Sequence, residues 1–269
     1  MAEFLRTNSY TLIAVAGMIV TLIVYLRLGK LRDVSWKQLM STFIFALAGL
    51  LIGSHLLFFI VGLPDWIAHY SGQIHSVPDL LVAIGYGASG LVFYGGLLGA
   101  YAAVLIFCRI YRLYSYPELN HFSVVVPLFH AFGRIGCAVN GCCYGIEYHG
   151  PFAIHYTAAH INPGISDDIA DFTRFPVQPL EALIEILIFV FLLLLYIKKR
   201  DKYSLTSIYL LIYSVIRFFD EFLRGDAARK IWGPFSTSQW ISLAIFAAVI
   251  IYLAVKQAKT PGKPFFSRA

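Results

Sequence analysis

The stretch "FGRIGCAVNGCCYG", residues 132–145, carries one arginine in an otherwise apolar run, and "YSVIRFFDEFLRGD", residues 213–226, carries a charge cluster inside another. A charge at the centre of a membrane-crossing helix costs roughly 2.5–3.5 kcal/mol on insertion scales, so Arg134, Arg217 and Glu221 need partners or a task. The surrounding chain demands that reading. It has 269 residues, 59% of them hydrophobic and 13% charged, with a mean hydropathy of +0.72. That balance excludes an ordinary soluble domain.

The expected fold class is an all-α polytopic membrane protein with seven transmembrane helices and a small extracytoplasmic head. Apolar runs near the length that crosses a bilayer, about 20 residues, cover 10–27, 38–62, 91–109, 122–142, 180–197, 205–223 and 238–255. The run 81–90, with Gly85, Gly87 and Gly90, reads as a short bent or re-entrant piece that only surrounding protein makes tolerable. The first apolar run is too long for a cleaved signal and lacks a small-residue cleavage pattern, so it is expected to be the first helix. Residues 1–269 are read as a single integral membrane domain, with residues 144–178 as the head within it. In that head, "GPFAIHYT" alternates enough to suggest a short strand or hairpin.

Basic residues set the expected orientation. With the N-terminus outside, 14 of the 21 Lys and Arg fall on the inner side, five fall outside, and Arg134 and Arg217 lie within spans. The asymmetry places the C-terminus in the cytoplasm. The net charge of +6 then belongs to inner loops facing anionic lipid heads, and no nucleic-acid partner is expected.

At 1.5 Å per helical residue, Arg134 and Arg217 each lie about 18 Å from the inner end of their spans. By the same arithmetic Tyr94 lies about 22 Å up, and His55, Glu181 and Gln239 about 25 Å up. Tyr213, Arg217, Glu221 and Arg224 follow i, i+4, i+8 and i+11 spacing and share a helix face, as do His130 and Arg134. A guanidinium matches phosphate oxygens bidentately and stays charged. The phosphate at hand in a bilayer is a phospholipid head group. The competing reading is that Arg217 and Glu221 form an ion pair that only orients helices.

The order and spacing of "FYGGLLGA" (93–100), "GRIGCAVNGCCYG" (133–145), "FPVQPLEA" (175–182), "YSVIRFFDEFLRGDA" (213–227) and "SQWISL" (238–243) resemble the prolipoprotein diacylglyceryl transferase family. The resemblance runs from about residue 40 to 250. It implies a seven-span bacterial inner-membrane enzyme that moves a diacylglyceryl group from phosphatidylglycerol to the lipobox cysteine of a preprotein, releasing glycerol phosphate. It implies essential arginines at Arg134 and Arg217. Glu221, Arg224, Tyr213, Asn140, Gly133, Gly136, Gln178, Glu181 and Gln239 also fall on family motif positions. The partners implied are phosphatidylglycerol, a preprotein and the bilayer, with no cofactor.

The departures cluster on the acceptor side. Tyr94 stands where the family usually has a catalytic histidine, Cys137 replaces an asparagine, Cys142 an acidic residue, and His55 an arginine. Phe175 and Leu180 replace a histidine and a tyrosine. The candidates for the base that deprotonates the acceptor thiol are therefore Tyr94, His130 and His55. Tyr94 is alternatively a pocket wall, and Gly95 and Gly96 serve either close helix packing or backbone approach to a lipid head. Two further readings stay open: a transferase of the same fold with a different acceptor, and a non-catalytic lipid-binding membrane protein. Cys137, Cys142 and Cys143 read as small packing residues, with a covalent thiol or a disulfide from Cys137 as alternatives. Their spacing fits no standard ligand pattern, so no metal is expected. Cys108 reads as structural.

Overall fold

A computed structural model describes residues 2–72, 74–87, 90–157, 172–198, 204–226 and 231–259. The helices are α1 (Ala2–Lys30), α2 (Trp36–Tyr70), α3 (Val77–Gly87), α4 (Phe93–Ile110), α5 (Ser115–Asn140), α6 (Val177–Ile197), α7 (Leu205–Asp220) and α8 (Thr237–Lys259). A single 3-10 turn, Glu221–Leu223, continues α7. The short strands are β1 (Ile154–Tyr156), β2 (Phe172–Arg174), β3 (Ile231–Trp232) and β4 (Phe235–Ser236). The protein is thus a polytopic all-α membrane protein.

Among the described residues, six helices, α1, α2, α4, α5, α6 and α8, are long and apolar enough to cross a membrane. Helix α7 has 16 residues, about 24 Å of rise, less than the roughly 30 Å hydrocarbon core. The apolar run 205–223 is helical along its length, with the regular α-helix ending at Asp220 and the 3-10 turn carrying it to Leu223; the carboxylates of Asp220 and Glu221 fold back onto Arg217. Helix α3 is a separate short piece where the glycine-rich run 81–90 suggested one, and it begins four residues earlier than that run.

The chain forms two compact units, residues 29–119 and residues 1–28 with 120–269. In the first, α2 and α4 touch backbone to backbone. A Cβ on Gly53 would collide with the Gly95 carbonyl and one on Gly49 with the Gly99 carbonyl, and the reverse holds for Gly95 and Gly99. A Cβ on Gly96 would stand 2.8 Å from Ser54 Oγ. In a bilayer, where lipid tails are as apolar as leucine, such small-residue contact is a main source of helix association. Helix α3 opens with a capping box. Ser76 Oγ accepts from Asp79 N at 3.3 Å, and the Asp79 carboxylate accepts from the His75 backbone N–H at 3.2 Å. Trp66 Nε1 donates to Ala83 O at 2.6 Å and ties α3 to α2.

In the second unit, His121 bonds Tyr196 Oη at 2.7 Å and the Tyr25 carbonyl at 3.1 Å, joining α5, α6 and α1. The α5–α6 connection folds as the alternating "GPFAIHYT" pattern led one to expect: β1 pairs antiparallel with β2. Glu147 bridges Arg174, and Gly145 bridges Arg224, so segment 145–147 lies between β2 and the chain leaving α7. The expected head residues 158–171 lie outside the described residues. The β3–β4 hairpin turns at Gly233, which has φ +63°.

Candidate functional site

Helix α6 is apolar outward and polar inward. Gln178, Glu181, Glu185, Ile188, Leu192 and Tyr196 are buried, whereas Leu183, Leu187, Val190 and Leu194 are exposed. The inward set recurs every three or four residues, one face of a 3.6-residue helix. Against it α5 brings His130 and Arg134, one turn apart. Arg134 Nη2 lies 2.7 Å from Glu181 Oε2. His130 Nδ1 lies 3.0 Å from Glu185 Oε1, and its Nε2 lies 3.5 Å from Glu181 Oε1.

Helix α7 adds the second guanidinium. Arg217 Nη1 lies 2.9 Å from Asp220 Oδ2, and its Nη2 lies 2.5 Å from Glu221 Oε2 and 3.4 Å from Ser238 Oγ. Tyr213, one turn back, meets the His130 ring edge to face at 5.3 Å. Glu181 is the common point: its carboxylate interacts electrostatically with Arg134, Arg217 and His130 and shares a hydrogen bond with Asp220. Arg134 thus pairs directly with Glu181, while Arg217, on a separate helix, is held by Asp220 and Glu221 and acts on the same carboxylate electrostatically from beyond ion-pair distance. Apart from Ser238, which is half-buried, all of these side chains are buried.

The charge balance decides what the cluster can do. Glu181, Asp220 and Glu221 compensate Arg134 and Arg217, which keeps both guanidiniums ionised in a dry site and fixes their planes. Some polar capacity is left over. Arg134 Nε and Gln178 Oε1 are buried and make no hydrogen bond among the described residues. A free donor on a held guanidinium is suited to an anionic oxygen.

Beside the cluster, Arg224 makes a bidentate pair with Asp226, Nε at 2.9 Å and Nη2 at 2.7 Å. Burial works against the Arg224 charge, but the hydrogen bonds and charge of Asp226 outweigh it and raise the pKa. Gln178 Nε2 donates to Cys142 O at 2.9 Å and Tyr156 Oη at 3.0 Å. Burial raises the Tyr156 pKa. Gln239 is committed to backbone. Its Oε1 accepts from Ser236 N at 2.9 Å, its own N–H meets Ser236 Oγ at 3.3 Å, and its Nε2 donates to Phe218 O at 3.2 Å. This is a reciprocal S-x-x-Q capping box on α8.

Of the residues singled out in the sequence, Arg134, His130, Glu181, Arg217, Tyr213 and Glu221 come together, with Gln178, Arg224 and Gln239 around them. Asn140 lies at the end of α5 and hydrogen-bonds Cys142. Tyr94, Gly95, Gly96 and His55 belong to the 29–119 unit, where Tyr94 is buried and Gly95 and Gly96 pack on α2. Sequence reasoning missed Glu185, Asp220, Asp226 and Ser238. Glu185 carried a readable signal, an ionisable residue in the apolar run 180–197 one turn after Glu181. Asp220 stood three residues from Arg217, the spacing of a helical ion pair.

The family model for prolipoprotein diacylglyceryl transferase matches residues 2–255. Among relatives, the chain is 29% identical over 258 residues to phosphatidylglycerol–prolipoprotein diacylglyceryl transferase 2 of Clostridium perfringens, covering 95% of this chain and 93% of that one. It is 29% identical to the phosphatidylglycerol–prolipoprotein diacylglyceryl transferase of Clostridium tetani, covering 89% of each. To the enzyme of that name from Finegoldia magna it is 27% identical, covering 93% of this chain and 91% of the relative.

Proposed function

The chain belongs to the prolipoprotein diacylglyceryl transferase family, and from that premise we propose that it transfers the diacylglyceryl group of phosphatidylglycerol to the lipobox cysteine of a preprotein in a bacterial cell membrane. The observation that carries the reading is the burial of Arg134 and Arg217 in one electrostatically linked cluster, Arg134 on Glu181 and Arg217 on Asp220 and Glu221, with Arg134 Nε left free to donate among the described residues.

The two guanidiniums hold the phosphodiester, Arg134 through Nε. The acceptor thiol gives its proton to the buried Glu181–His130–Glu185 array, in which His130 has a carboxylate facing each ring nitrogen. The thiolate attacks the diacylglyceryl carbon that bears the phosphate. A carbon–sulfur bond forms, the carbon–oxygen bond breaks, and its electron pair leaves on glycerol phosphate. Charge grows on the phosphate oxygens, where preorganised cations in a water-poor site are most effective. Tyr213, Asn140, Gln178, Glu221 and Arg224 position this centre, and Gln239 fixes the start of α8 beside it. Tyr94, Gly95, Gly96 and His55 are assigned to substrate from their family positions alone.

The seventh crossing is α7 with its 3-10 turn, the N-terminus lies outside and the C-terminus in the cytoplasm, and residues 144–178 form the extracytoplasmic head of a single membrane domain. Purified protein incubated with phosphatidylglycerol and a lipobox peptide is expected to yield diacylglyceryl peptide and glycerol phosphate, and Arg134→Ala to abolish both. The altered acceptor side, Tyr94 and Phe175 above all, favours a second reading in which the acceptor is a different nucleophile. Glycerol phosphate released without peptide modification would select it. Absence of both products would refute the transferase reading.

A further inference from the structure

Cys137, Cys142 and Cys143 place their three Sγ atoms within 4.8 Å of one another, and the diacylglyceryl transfer derived above uses none of them. The clustering follows from how α5 ends. Gly141, at φ +76°, reverses the chain after Asn140, and Cys142 N donates back to Cys137 O at 3.1 Å, the six-to-one bond of a Schellman turn. Cys143 then takes φ +55°, a left-handed conformation uncommon for a residue with a side chain. The turn is also clamped from outside, because Gln178 Nε2 holds the Cys142 carbonyl at 2.9 Å. All three cysteines are free thiols.

We propose that Cys137, Cys142 and Cys143 form a binding site for one soft, thiophilic d10 cation of the Zn(II), Cd(II) or Cu(I) kind. In a zinc–thiolate site with metal–sulfur bonds of about 2.3 Å, tetrahedral geometry puts the sulfurs about 3.8 Å apart. Closing the remaining distance takes side-chain rotation and no movement of the clamped backbone. Thiolates rather than carboxylates select soft ions over magnesium or calcium. Binding a divalent ion as three thiolates displaces whatever protons the thiols carry and leaves the site with one net negative charge. Guanidiniums are at hand to balance it: Arg134 Nη1 lies 4.0 Å from Cys137 Sγ, and Arg224 and Arg134 both act electrostatically on Cys143. The sequence spacing matches no standard metal pattern because the left-handed turn, which spacing does not reveal, brings the adjacent cysteines back over Cys137.

The test is titration of fully reduced, detergent-solubilised full-length protein with Cd(II) under anaerobic conditions. It reads the ultraviolet thiolate-to-cadmium charge-transfer band, bound metal per chain and thermal stability. One equivalent is expected, displaceable by Zn(II), with a rise in melting temperature. Cys108→Ser is expected to bind as the parent does. Cys142→Ser, at the half-buried position, is expected to melt like the metal-free parent yet lose at least tenfold in affinity and the metal-induced rise. No band in the reduced parent would overturn the proposal, and so would binding undiminished in both Cys142→Ser and Cys137→Ser.

Discussion

Replacing Glu181 by glutamine keeps the side-chain shape and removes the charge that pairs with Arg134 and acts at longer range on Arg217. Arg217 retains Asp220 and Glu221 at 2.9 and 2.5 Å. Arg134 loses the carboxylate 2.7 Å from its Nη2 while remaining buried. Breaking a buried pair by removing one partner costs about 3–5 kcal/mol, because the surviving charge is left desolvated. Proteolysis in mild detergent reads that cost as the population of the opened state when opening and closing are fast. The expected increase is roughly a hundred- to a few thousand-fold, from the same 3–5 kcal/mol. The companion variant is Arg134→Met, alone and combined with Glu181→Gln. If the pair is the dominant interaction, the double variant is less damaged than the sum of the singles, with a coupling of about 2 kcal/mol or more. Recovery will be incomplete, since Glu181 also serves His130 at 3.5 Å. A Glu181→Gln cost under about 1 kcal/mol, far below the 3–5 expected of a broken buried pair, or strictly additive single effects, would refute the reasoning.

Gly53→Ala is expected to destabilise by about 1–3 kcal/mol through overpacking against the Gly95 carbonyl, whereas Gly62→Ala, whose Cβ meets nothing within 4 Å, is expected to be neutral or stabilising by up to about 1 kcal/mol; thermal melts of the two in one detergent check the contrast. Gln239→Leu removes the side-chain half of the α8 cap, the bond accepted from Ser236 N, and the bond to Phe218 O, leaving Ser236 Oγ on the backbone N–H, and is expected to cost about 1–2 kcal/mol by the same measurement. The hydrogen bond from Ser76, with the backbone bond from His75, lowers the Asp79 pKa. Its contribution to the start of α3 is therefore complete above the unfolded-state value of about 3.9 and is lost as pH falls through the lower folded value. Hydrogen-exchange protection of α3 amides, corrected for intrinsic rates, is expected to fall over that acid range in the parent and to be low and flat in Asp79→Asn.

Apolar runs gave away most of the fold because a helix in hydrocarbon must satisfy its own backbone and shows this as an unbroken hydrophobic stretch. The run 205–223 is helical to its end, but its last turn tightens from α to 3-10 at Glu221–Leu223, a change of winding that hydropathy does not register. In the site, Arg134 and Arg217 stood out because isolated charges in apolar sequence are costly. The Arg217–Glu221 pair was legible from its i, i+4 spacing and is present, whereas the partner of Arg134, Glu181 on another helix, did not follow, since depth along a helix says nothing of its rotation. Gln239 was legible as a motif position, but its capping box depends on Ser236, and the pairing of S-x-x-Q across the β4–α8 junction is a local rule that a search for polar site residues passes over. The cysteine cluster was invisible because Gly141 and the left-handed Cys143 set it, not the spacing.

One amide therefore governs more than its own helix. Gln239 closes the beginning of α8 and, through Phe218 O, grips the residue next to Arg217. The α7–α8 corner behaves as a mechanical elbow whose angle and the aim of a guanidinium are set together. Substitutions in the hairpin at Phe235 or Ser236, which touch no proposed reacting atom, should then register as loss of turnover with little change in how much protein is folded, so that a screen for inactive variants would find this hairpin as readily as it finds the arginines.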